Sequence, residues 1–331
     1  MFERLGGLFG PHEQTANFYS SALNKKSHNS DGPELPDIEN YIAALHARIN
    51  ATRVMSVAVH NPFLLRSVEP TLEDVQGLRV TAVRRLGKRI CIGLENDIWL
   101  VVHLMIAGRF VWCDKTARKR PPKSLATLEF ESGILLLTKA GSKRRASLHI
   151  VKGDDGLAAL NPNGLEVLQA DYAQFTERLI LRNHTLKRAL TDPRLFSGIG
   201  NAYSEEILHH AKLSPIAQTQ KLNDAEVERL YRSIQTVLGD WLQRLRDETG
   251  GNFPEKVTAF RQDMAVHGRF GEPCPNCKTQ IQRIRYVQNE LNYCPRCQTE
   301  GNVLADRGLS RLLKKDWPRT IEELEAAKSK F

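Results

Sequence analysis

Four cysteines near the carboxyl end of the chain have the spacing of a metal site. They form two Cys-x-x-Cys pairs separated by sixteen residues: Cys274, Cys277, Cys294 and Cys297. Four thiolates from two tight turns suit a tetrahedral structural zinc ion and leave no coordination position open for catalysis. A redox dithiol and two disulfides are the alternatives. Cys91 and Cys113 are isolated and no apolar secretory segment precedes them, so a reducing cytosol and one zinc ion are expected.

A second pattern could bind an anion. Gly198 and Gly200 flank Ile199 and are followed by Asn201 at the expected start of a helix. Glycines let the backbone approach a phosphate closely, and the helix N-terminus directs its amide groups and positive dipole end towards it. Asn201 can add a side-chain donor. A Gly-x-Gly turn is common in proteins, so this pattern is weak by itself.

The net charge also favours an anionic partner. The 331 residues carry a formal charge of +9 at pH 7, and the pI is near 9.3. Such an excess favours nucleic acid or an anionic membrane surface. The sequence has no run of about eighteen apolar residues, so no membrane-spanning helix is expected. Many basic proteins bind no DNA, so charge gives only modest support.

The elements that must position these residues begin with a helix and then strands. Ile38, Ile42, Leu45 and Ile49 recur at helical spacing, and Asp37 is expected to cap the helix. Between residues 53 and 151, short apolar runs joined by turns predict a β-sandwich or barrel. Two hairpins are expected there, from 89–94 with 98–105 and from 128–130 with 134–138.

Helical periodicity follows, and the predicted fold class is α+β. One long helical face ends at Gly250 and consists of Val227, Leu230, Ile234, Val237, Trp241 and Leu245. The chain is long enough for two or three cores. The expected segments are a disordered extension (1–32), a β-sandwich with a leading helix (33–165), a helical domain (171–262), a zinc finger (265–300) and a charged tail (301–331) with helices at 304–315 and after Pro318.

Five motifs resemble the formamidopyrimidine-DNA glycosylase / endonuclease VIII family, and they occur in the family's order. They lie at residues 32–39, 86–89, 103–108, 186–206 and 267–274. The resemblance implies that 33–165 is a catalytic domain and 171–262 a DNA-binding helix–two-turns–helix domain. It implies a monomeric, cytoplasmic, nucleoid-associated bacterial enzyme that acts on double-stranded DNA with damaged bases or abasic sites.

By this resemblance, three residues carry the chemistry. The secondary amine of Pro33 attacks C1′ of a damaged nucleotide, the base leaves, and the resulting Schiff base allows strand cleavage by elimination. An α-amino group has a pKa of about 8, against about 10.4 for a lysine side chain, so a much larger fraction of it is unprotonated near neutral pH and it is a competent nucleophile. Glu34 acts as general acid/base, and Lys88 steadies the phosphate or sugar oxygen of the flipped nucleotide.

The resemblance also implies a set of DNA-binding residues. They are His103, Ile106, Arg144, Arg145, Lys187, Gly200, Asn201, Lys256 and Asn289. For His103 a satisfied core histidine is an equally good interpretation. Glu205 and Glu206 are expected only to decorate the surface of a helix.

Four positions depart from the family pattern. Thirty-two residues precede Pro33, and an amide nitrogen within a chain cannot form a Schiff base. Asn289 replaces the finger arginine that grips the phosphate flanking the lesion. The 139–145 segment keeps Arg144 and Arg145 but lacks an aromatic wedge, and Ile106 replaces the methionine that fills the vacated stack. A preference for oxidised purines therefore cannot be carried over.

These departures leave alternatives open. One is a zinc-dependent DNA-binding protein of the same fold without lyase activity. Others are an enzyme whose nucleophile is a lysine, with Lys88 the nearest candidate, and a hydrolytic glycosylase. Cleavage of the chain before Pro33 would restore the family's nucleophile. The sequence determines neither the preferred lesion, nor the opposite base, nor the balance of β and β,δ elimination.

Overall fold

The computed structural model describes residues 32–115, 124–139, 146–255, 257–258, 261–286, 290–306, 310 and 317–328. The expected extension lies outside these residues, except for Gly32. Four of the predicted DNA-binding residues also lie outside them: Arg144, Arg145, Lys256 and Asn289. Within the described part of the chain, no helix is long and apolar enough to cross a membrane.

The first helix, α1 (Leu35–Ile49), begins before the predicted cap. Pro36 is tolerated in the first turn, where the missing N–H would have no intrahelical partner. Glu34 is the N-cap, and Asp37 accepts a hydrogen bond from the Glu34 backbone N–H at 3.1 Å. Asp37 therefore supports the helix start from its third position, which corrects the expectation that it is the cap itself.

Eight strands form two four-stranded antiparallel sheets that pack into the predicted sandwich. The strands are β1 (Val54–Val59), β2 (Val80–Leu86), β3 (Arg89–Leu94), β4 (Ile98–His103), β5 (Gly108–Cys113), β6 (Ser124–Phe130), β7 (Gly133–Lys139) and β8 (Ser147–Lys152). Their order is β1-β6-β7-β5 in one sheet and β2-β3-β4-β8 in the other. With α1 they constitute the β lobe, whose core includes Ile38, Phe110 and Phe130.

Both expected hairpins are confirmed, at β3–β4 and β6–β7. Strand β4 ends two residues earlier than predicted, because Met105 adopts a left-handed conformation with φ of 52°. After this turn the chain crosses to the other sheet, where β5 begins at Gly108.

A second core is helical. After α2 (Gly153–Ala158), it is formed by α3 (Tyr172–Ile180), α4 (Leu186–Thr191), α5 (Asn201–His210) and α6 (Asp224–Thr249). The six apolar residues predicted to line the long helix are all buried. Asn223 caps α6 through the Glu226 N–H, and left-handed Gly250 ends it as predicted. These four helices constitute the helical lobe.

The carboxyl-terminal region contains a small zinc-finger fold and a short tail. Strands β9 (Gln282–Arg285) and β10 (Glu290–Tyr293) pair, and α7 (Pro295–Thr299) follows. The tail folds back, with the Val303 N–H bonded to the Arg319 carbonyl, before α8 (Ile321–Lys328). The helix expected at 304–315 does not begin at Leu304, since residues 304–306 are not helical; Ser310 is helical, and the rest of that range lies outside the described residues. Helix α8 fits the second expected tail helix.

Candidate active site and metal centre

A cleft of about 360 Å³ lies where the two lobes meet. Its walls come from the start of α1, the β2–β3 turn, the segment after β4 and the turn before α5. Six predicted site residues line it together: Pro33, Glu34, Lys88, His103, Ile106 and Asn201. The fold thus brings into one cavity residues that are up to 168 positions apart in the sequence.

Glu34 is buried at the bottom of the cleft and is held by the helical lobe. Its carboxylate accepts backbone hydrogen bonds from Gly200 at 2.6 Å, Ala202 at 2.8 Å and Tyr203 at 3.3 Å. These amides are the otherwise unsatisfied donors at the N-terminus of α5, where negative charge is favoured. The predicted anion-binding helix end is therefore bonded to the protein's own carboxylate, in a fixed orientation.

Lys88 extends from the β lobe to the same place, the backbone of Gly200. A methyl group built on Gly200 would lie 2.1 Å from Lys88 Nζ and 2.6 Å from Glu34 Oε1. The ammonium and the carboxylate therefore converge on the Gly200 backbone. Gly200 has an ordinary extended conformation with φ of −131°, so proximity to these groups, not backbone strain, is what demands glycine.

Pro33 is buried beside Glu34, and in this chain its nitrogen is part of the Gly32–Pro33 amide. Gly32 packs against the turn after β4. A Cβ at Gly32 would lie 1.9 Å from the Met105 carbonyl oxygen, which is far inside van der Waals contact. The backbone that leads to Pro33 therefore runs along one wall of the cleft, and the amide nitrogen has no nucleophilic lone pair.

His103 is a neutral donor. Burial, together with the charges of Arg89 and Lys88, lowers the pKa of His103 to about 4. Its Nδ1 accepts the Met105 N–H at 2.9 Å, which leaves the proton on Nε2. A neutral ring at the cleft wall can donate one hydrogen bond to a phosphate, so the two interpretations of this residue are compatible.

Lys187 and Asn201 are more constrained than their sequence motif suggests. Lys187 Nζ donates to the Asn201 carbonyl at 2.7 Å and to Glu205 Oε1 at 2.9 Å, and its side chain is 14% exposed. Asn201 Nδ2 reaches the Glu290 carbonyl in β10 at 3.2 Å. Two of the three ammonium donors of Lys187 are thus used internally, and one is left for a ligand.

The expectation for Glu205 is wrong, because its side chain is buried, at 1% exposed, and not on the surface. Its carboxylate accepts from Lys187, from Asn292 at 3.2 Å and, at 2.8 Å, contacts His267 Nδ1. Burial alone would raise the pKa of Glu205, but the charges of Lys187 and His267 hold it below its ordinary value. Glu205 therefore joins the helical lobe to the finger.

Glu206 is also buried, which corrects the second half of that expectation. Its two oxygens accept the consecutive backbone N–H groups of residues 265–267 at 2.7 to 2.9 Å. Burial raises the pKa of Glu206, and these amides oppose the rise. Helical periodicity gave no signal for either glutamate, because their partners lie outside helix α5, between 18 and 87 residues away in the sequence.

Arg85 is a further residue that the sequence did not indicate. Its buried guanidinium contacts Glu39 at 2.7 Å, Glu166, the Gly87 carbonyl at 2.8 Å and Ser197 Oγ at 3.0 Å. Gly87 precedes Lys88, and Ser197 precedes the glycine turn. One planar fork of donors therefore fixes the β2–β3 turn relative to the helical lobe.

The four predicted cysteines fit a zinc ion. Their Sγ atoms all lie within 4.8 Å of one another, with Cys274–Cys297 at 3.9 Å and Cys277–Cys294 at 3.4 Å. Zinc–sulfur bonds of about 2.3 Å in a tetrahedron imply sulfur separations of about 3.8 Å. His209 Nε2 lies 3.3 Å from Cys274 Sγ and is placed to orient that ligand. The four cysteines form one structural zinc site.

Comparisons with known proteins match both lobes and the finger. The formamidopyrimidine-DNA glycosylase N-terminal domain matches residues 32–144, its H2TH domain residues 160–249, and the zinc finger of FPG and IleRS residues 271–299. A formamidopyrimidine-DNA glycosylase of Pelotomaculum thermopropionicum is 30% identical over 277 residues, which is 80% of this chain and 99% of that protein. The chain belongs to the formamidopyrimidine-DNA glycosylase family.

Other members of this family extend the comparison. A formamidopyrimidine-DNA glycosylase-like protein of Mycobacterium tuberculosis, described as uncharacterized, is 39% identical over 158 residues, covering 47% of this chain and 95% of that protein. The crystal structure of MutM (Fpg) from Thermus thermophilus superposes with a TM-score of 0.67 at 29% identity, over 80% and 98% of the two chains. A MutM complex with DNA containing carbocyclic 8-oxo-G gives 0.70 at 25% identity, over 81% and 100%.

Proposed function

We propose that this protein is a base-excision repair DNA glycosylase with abasic-site lyase activity. The observation that carries the proposal is the convergence of Pro33, Glu34 and Lys88 in the cleft between the lobes. Related structures are complexes with DNA that contains carbocyclic 8-oxo-G, Fapy-dG or an abasic site. The substrate class is therefore double-stranded DNA with oxidised or ring-opened bases or abasic sites.

In a chain that begins at Pro33, the catalytic steps follow from these residues. The free secondary amine attacks C1′ and loses its proton, and the base leaves with a proton that Glu34 or water delivers; the C1′–O4′ bond then breaks, O4′ takes up a proton, and the open sugar is held as an iminium. The iminium then loses a proton from C2′, the C3′–oxygen bond breaks, and water hydrolyses the imine. Lys88 balances negative charge on the sugar or phosphate. Because Glu34 is held by three amides, its orientation is set before DNA binds.

The other predicted roles belong to the same proposal. We assign contacts with the DNA backbone and the flipped nucleotide to His103, Ile106, Arg144, Arg145, Lys187, Gly200, Asn201, Lys256 and Asn289. We assign catalysis to 33–165, DNA binding to 171–262 and the finger to 265–300, with 1–32 an extension and 301–331 a tail. The protein then acts as a monomer on the nucleoid in the bacterial cytoplasm.

One observation favours a second candidate for the intact chain. Since the nitrogen of Pro33 is bonded to Gly32, only another amine can form a Schiff base unless the chain is cut there. Lys88 Nζ is the amine that converges with Glu34 on one point. A lysine-based lyase, a hydrolytic glycosylase and a DNA-binding protein without lyase activity remain the outcomes that compete with the first proposal.

Borohydride trapping on an abasic-site duplex separates these outcomes. Two chains are compared. One has the full 331 residues; the other lacks residues 1–32 and is expressed with a methionine directly before Pro33, whose removal leaves Pro33 as the first residue. Each adduct is mapped by mass spectrometry. An adduct on the α-nitrogen of Pro33 supports the first proposal. An adduct on Lys88 in the full chain supports the second. DNA binding without an adduct in either chain refutes both lyase mechanisms. Glu34→Gln is the matched variant, expected to bind DNA but not to cut it.

A further inference from the structure

Arg89, next to Lys88, is a half-buried cation that has no carboxylate partner in the part of the chain that the structure describes. It is the first residue of β3 and lines the same cleft. Its Nε is buried and has no hydrogen-bond partner. Among the described residues, no carboxylate forms an ion pair with Arg89, whereas the neighbouring Arg85 contacts both Glu39 and Glu166.

The surroundings of Arg89 are also electropositive. Across the sheet, Arg89 is opposite His103, and His103 is opposite Ser147. His149 lies two residues further along β8, on the same face of the sheet. Burial, followed by the charges of Arg89 and Arg66, lowers the pKa of His149. The sheet end beside the cleft thus presents cations and neutral hydrogen-bond donors.

An uncompensated guanidinium in this position lowers the stability of the free protein. Removing a charge from water is costly unless an opposite charge and hydrogen bonds replace the solvent. Proteins therefore pair such groups, as Arg85 is paired, or reserve them for a ligand. A phosphate suits Arg89 because the planar guanidinium binds phosphate oxygens through two parallel hydrogen bonds.

We propose that Arg89 binds a backbone phosphate of the DNA strand whose nucleotide enters the cleft. This inference rests on the proposed function, and it adds a phosphate contact to that site. The contact lies on the β-lobe wall, next to Lys88 and opposite the turn at Gly198. His103, through its Nε2–H, and His149 flank it as neutral donors.

The test is the salt dependence of binding to a duplex that contains a tetrahydrofuran abasic analogue. Three variants of the chain are compared with the wild type: Arg89→Met, Arg89→Lys and Arg84→Met. Arg84 is the matched control, because it is an exposed arginine on the same sheet face whose guanidinium stacks 4.4 Å from the Trp99 ring centroid. Affinity is measured between about 50 and 300 mM salt, and the melting temperature of the free protein is measured in parallel.

One phosphate contact contributes about 0.9 to the slope of log affinity against log salt, or roughly five- to tenfold in affinity at about 0.1 M salt. We expect Arg89→Met to lose about that much and Arg89→Lys to keep the slope. Arg84→Met should match the wild type. Because Arg89→Met removes an uncompensated charge, the free protein should melt higher by about 2 °C. A purely structural role for Arg89 predicts a lower melting temperature instead.

Three results would overturn the inference. The first is an unchanged slope in Arg89→Met, and the second is an equal loss of slope in Arg84→Met, which would indicate general attraction. The third is a melting temperature of Arg89→Met so far below that of the wild type that partial unfolding explains the lost binding. A wild-type protein that does not bind the duplex would refute the proposed function itself, and the Arg89 contact with it, whereas wild-type binding with an unaltered Arg89→Met slope refutes only the contact.

Discussion

Replacing Gly200 by alanine should separate catalysis from DNA binding. The new methyl group would lie 2.5 Å from Glu34 Cδ and 2.1 Å from Lys88 Nζ. The lysine can swing away, because its end is flexible. The carboxylate cannot, since three backbone amides of the same turn and helix hold it. The clash therefore shifts Glu34, the turn, or both.

The size of the effect follows from the overlap. Carbon atoms in contact prefer about 3.5 to 4.0 Å, so relief of the clash moves Glu34 relative to the turn by about 1 Å. A displacement of that size at a reacting centre costs about 100-fold in rate, or about 2.7 kcal/mol of transition-state stabilisation. Binding should change by less than about threefold, because Lys88 is the only one of the cations proposed to contact phosphate that the new methyl group displaces.

The assay is single-turnover cleavage of an abasic-site duplex by the chain that begins at Pro33, with affinity measured on the tetrahydrofuran duplex. Gly239→Ala is the control, because a Cβ there meets no atom within 4 Å. It lies inside α6, so alanine should stabilise the fold by about 0.5 to 1 kcal/mol and leave the rate unchanged. A Gly200→Ala rate within threefold of the wild type would show that the close approach of Glu34 and Lys88 to Gly200 is not what positions them.

Three further predictions concern stability. Since His103 has a pKa of about 4 in the fold and about 6.5 unfolded, acidification protonates the unfolded chain first. Urea unfolding should therefore show roughly 3 kcal/mol lost between about pH 6.5 and 4, and His103→Gln should lack that loss. Chelation of zinc, or Cys277→Ser, should unfold the finger and abolish DNA binding while circular dichroism retains the β-lobe signal. Glu206→Gln should lower the melting temperature and speed zinc loss to a chelator at least about tenfold, whereas exposed Glu177→Gln should do neither.

The sequence predicts local elements and motif order well. The six-residue stripe on α6, its Gly250 terminus and the hairpins β3–β4 and β6–β7 all follow from periodicity and turn residues. The zinc site follows from cysteine spacing. In each case the signal lies within one short stretch of sequence, at most the 24 residues from Cys274 to Cys297, which is where propensity and side-chain spacing act.

The interactions that join the lobes could not be predicted in this way. Glu34 caps a helix that starts 167 residues later, and Arg85 meets Glu166 and Ser197 only after folding. A buried glutamate on α5 looks like a surface glutamate, because its sequence neighbours do not reveal its partners. The sequence attributed Gly200 to the close approach of a phosphate, whereas the groups that approach it in the structure are the side chains of Glu34 and Lys88.

Helix α5 contacts three separate parts of the molecule: the cleft, the segment that leads into the finger and the metal site. Its first turn holds Glu34, its middle carboxylates hold the loop that leads into the finger, and His209 near its end touches Cys274. Ten residues, about 15 Å of helix, thus connect the Glu34 carboxylate to Cys274 of the metal site. The finger is therefore joined to the helical lobe by buried contacts. The cleft and the metal site should therefore open as one cooperative unit. Hydrogen exchange at the Ala202 amide, which donates to Glu34, should become faster when zinc is removed.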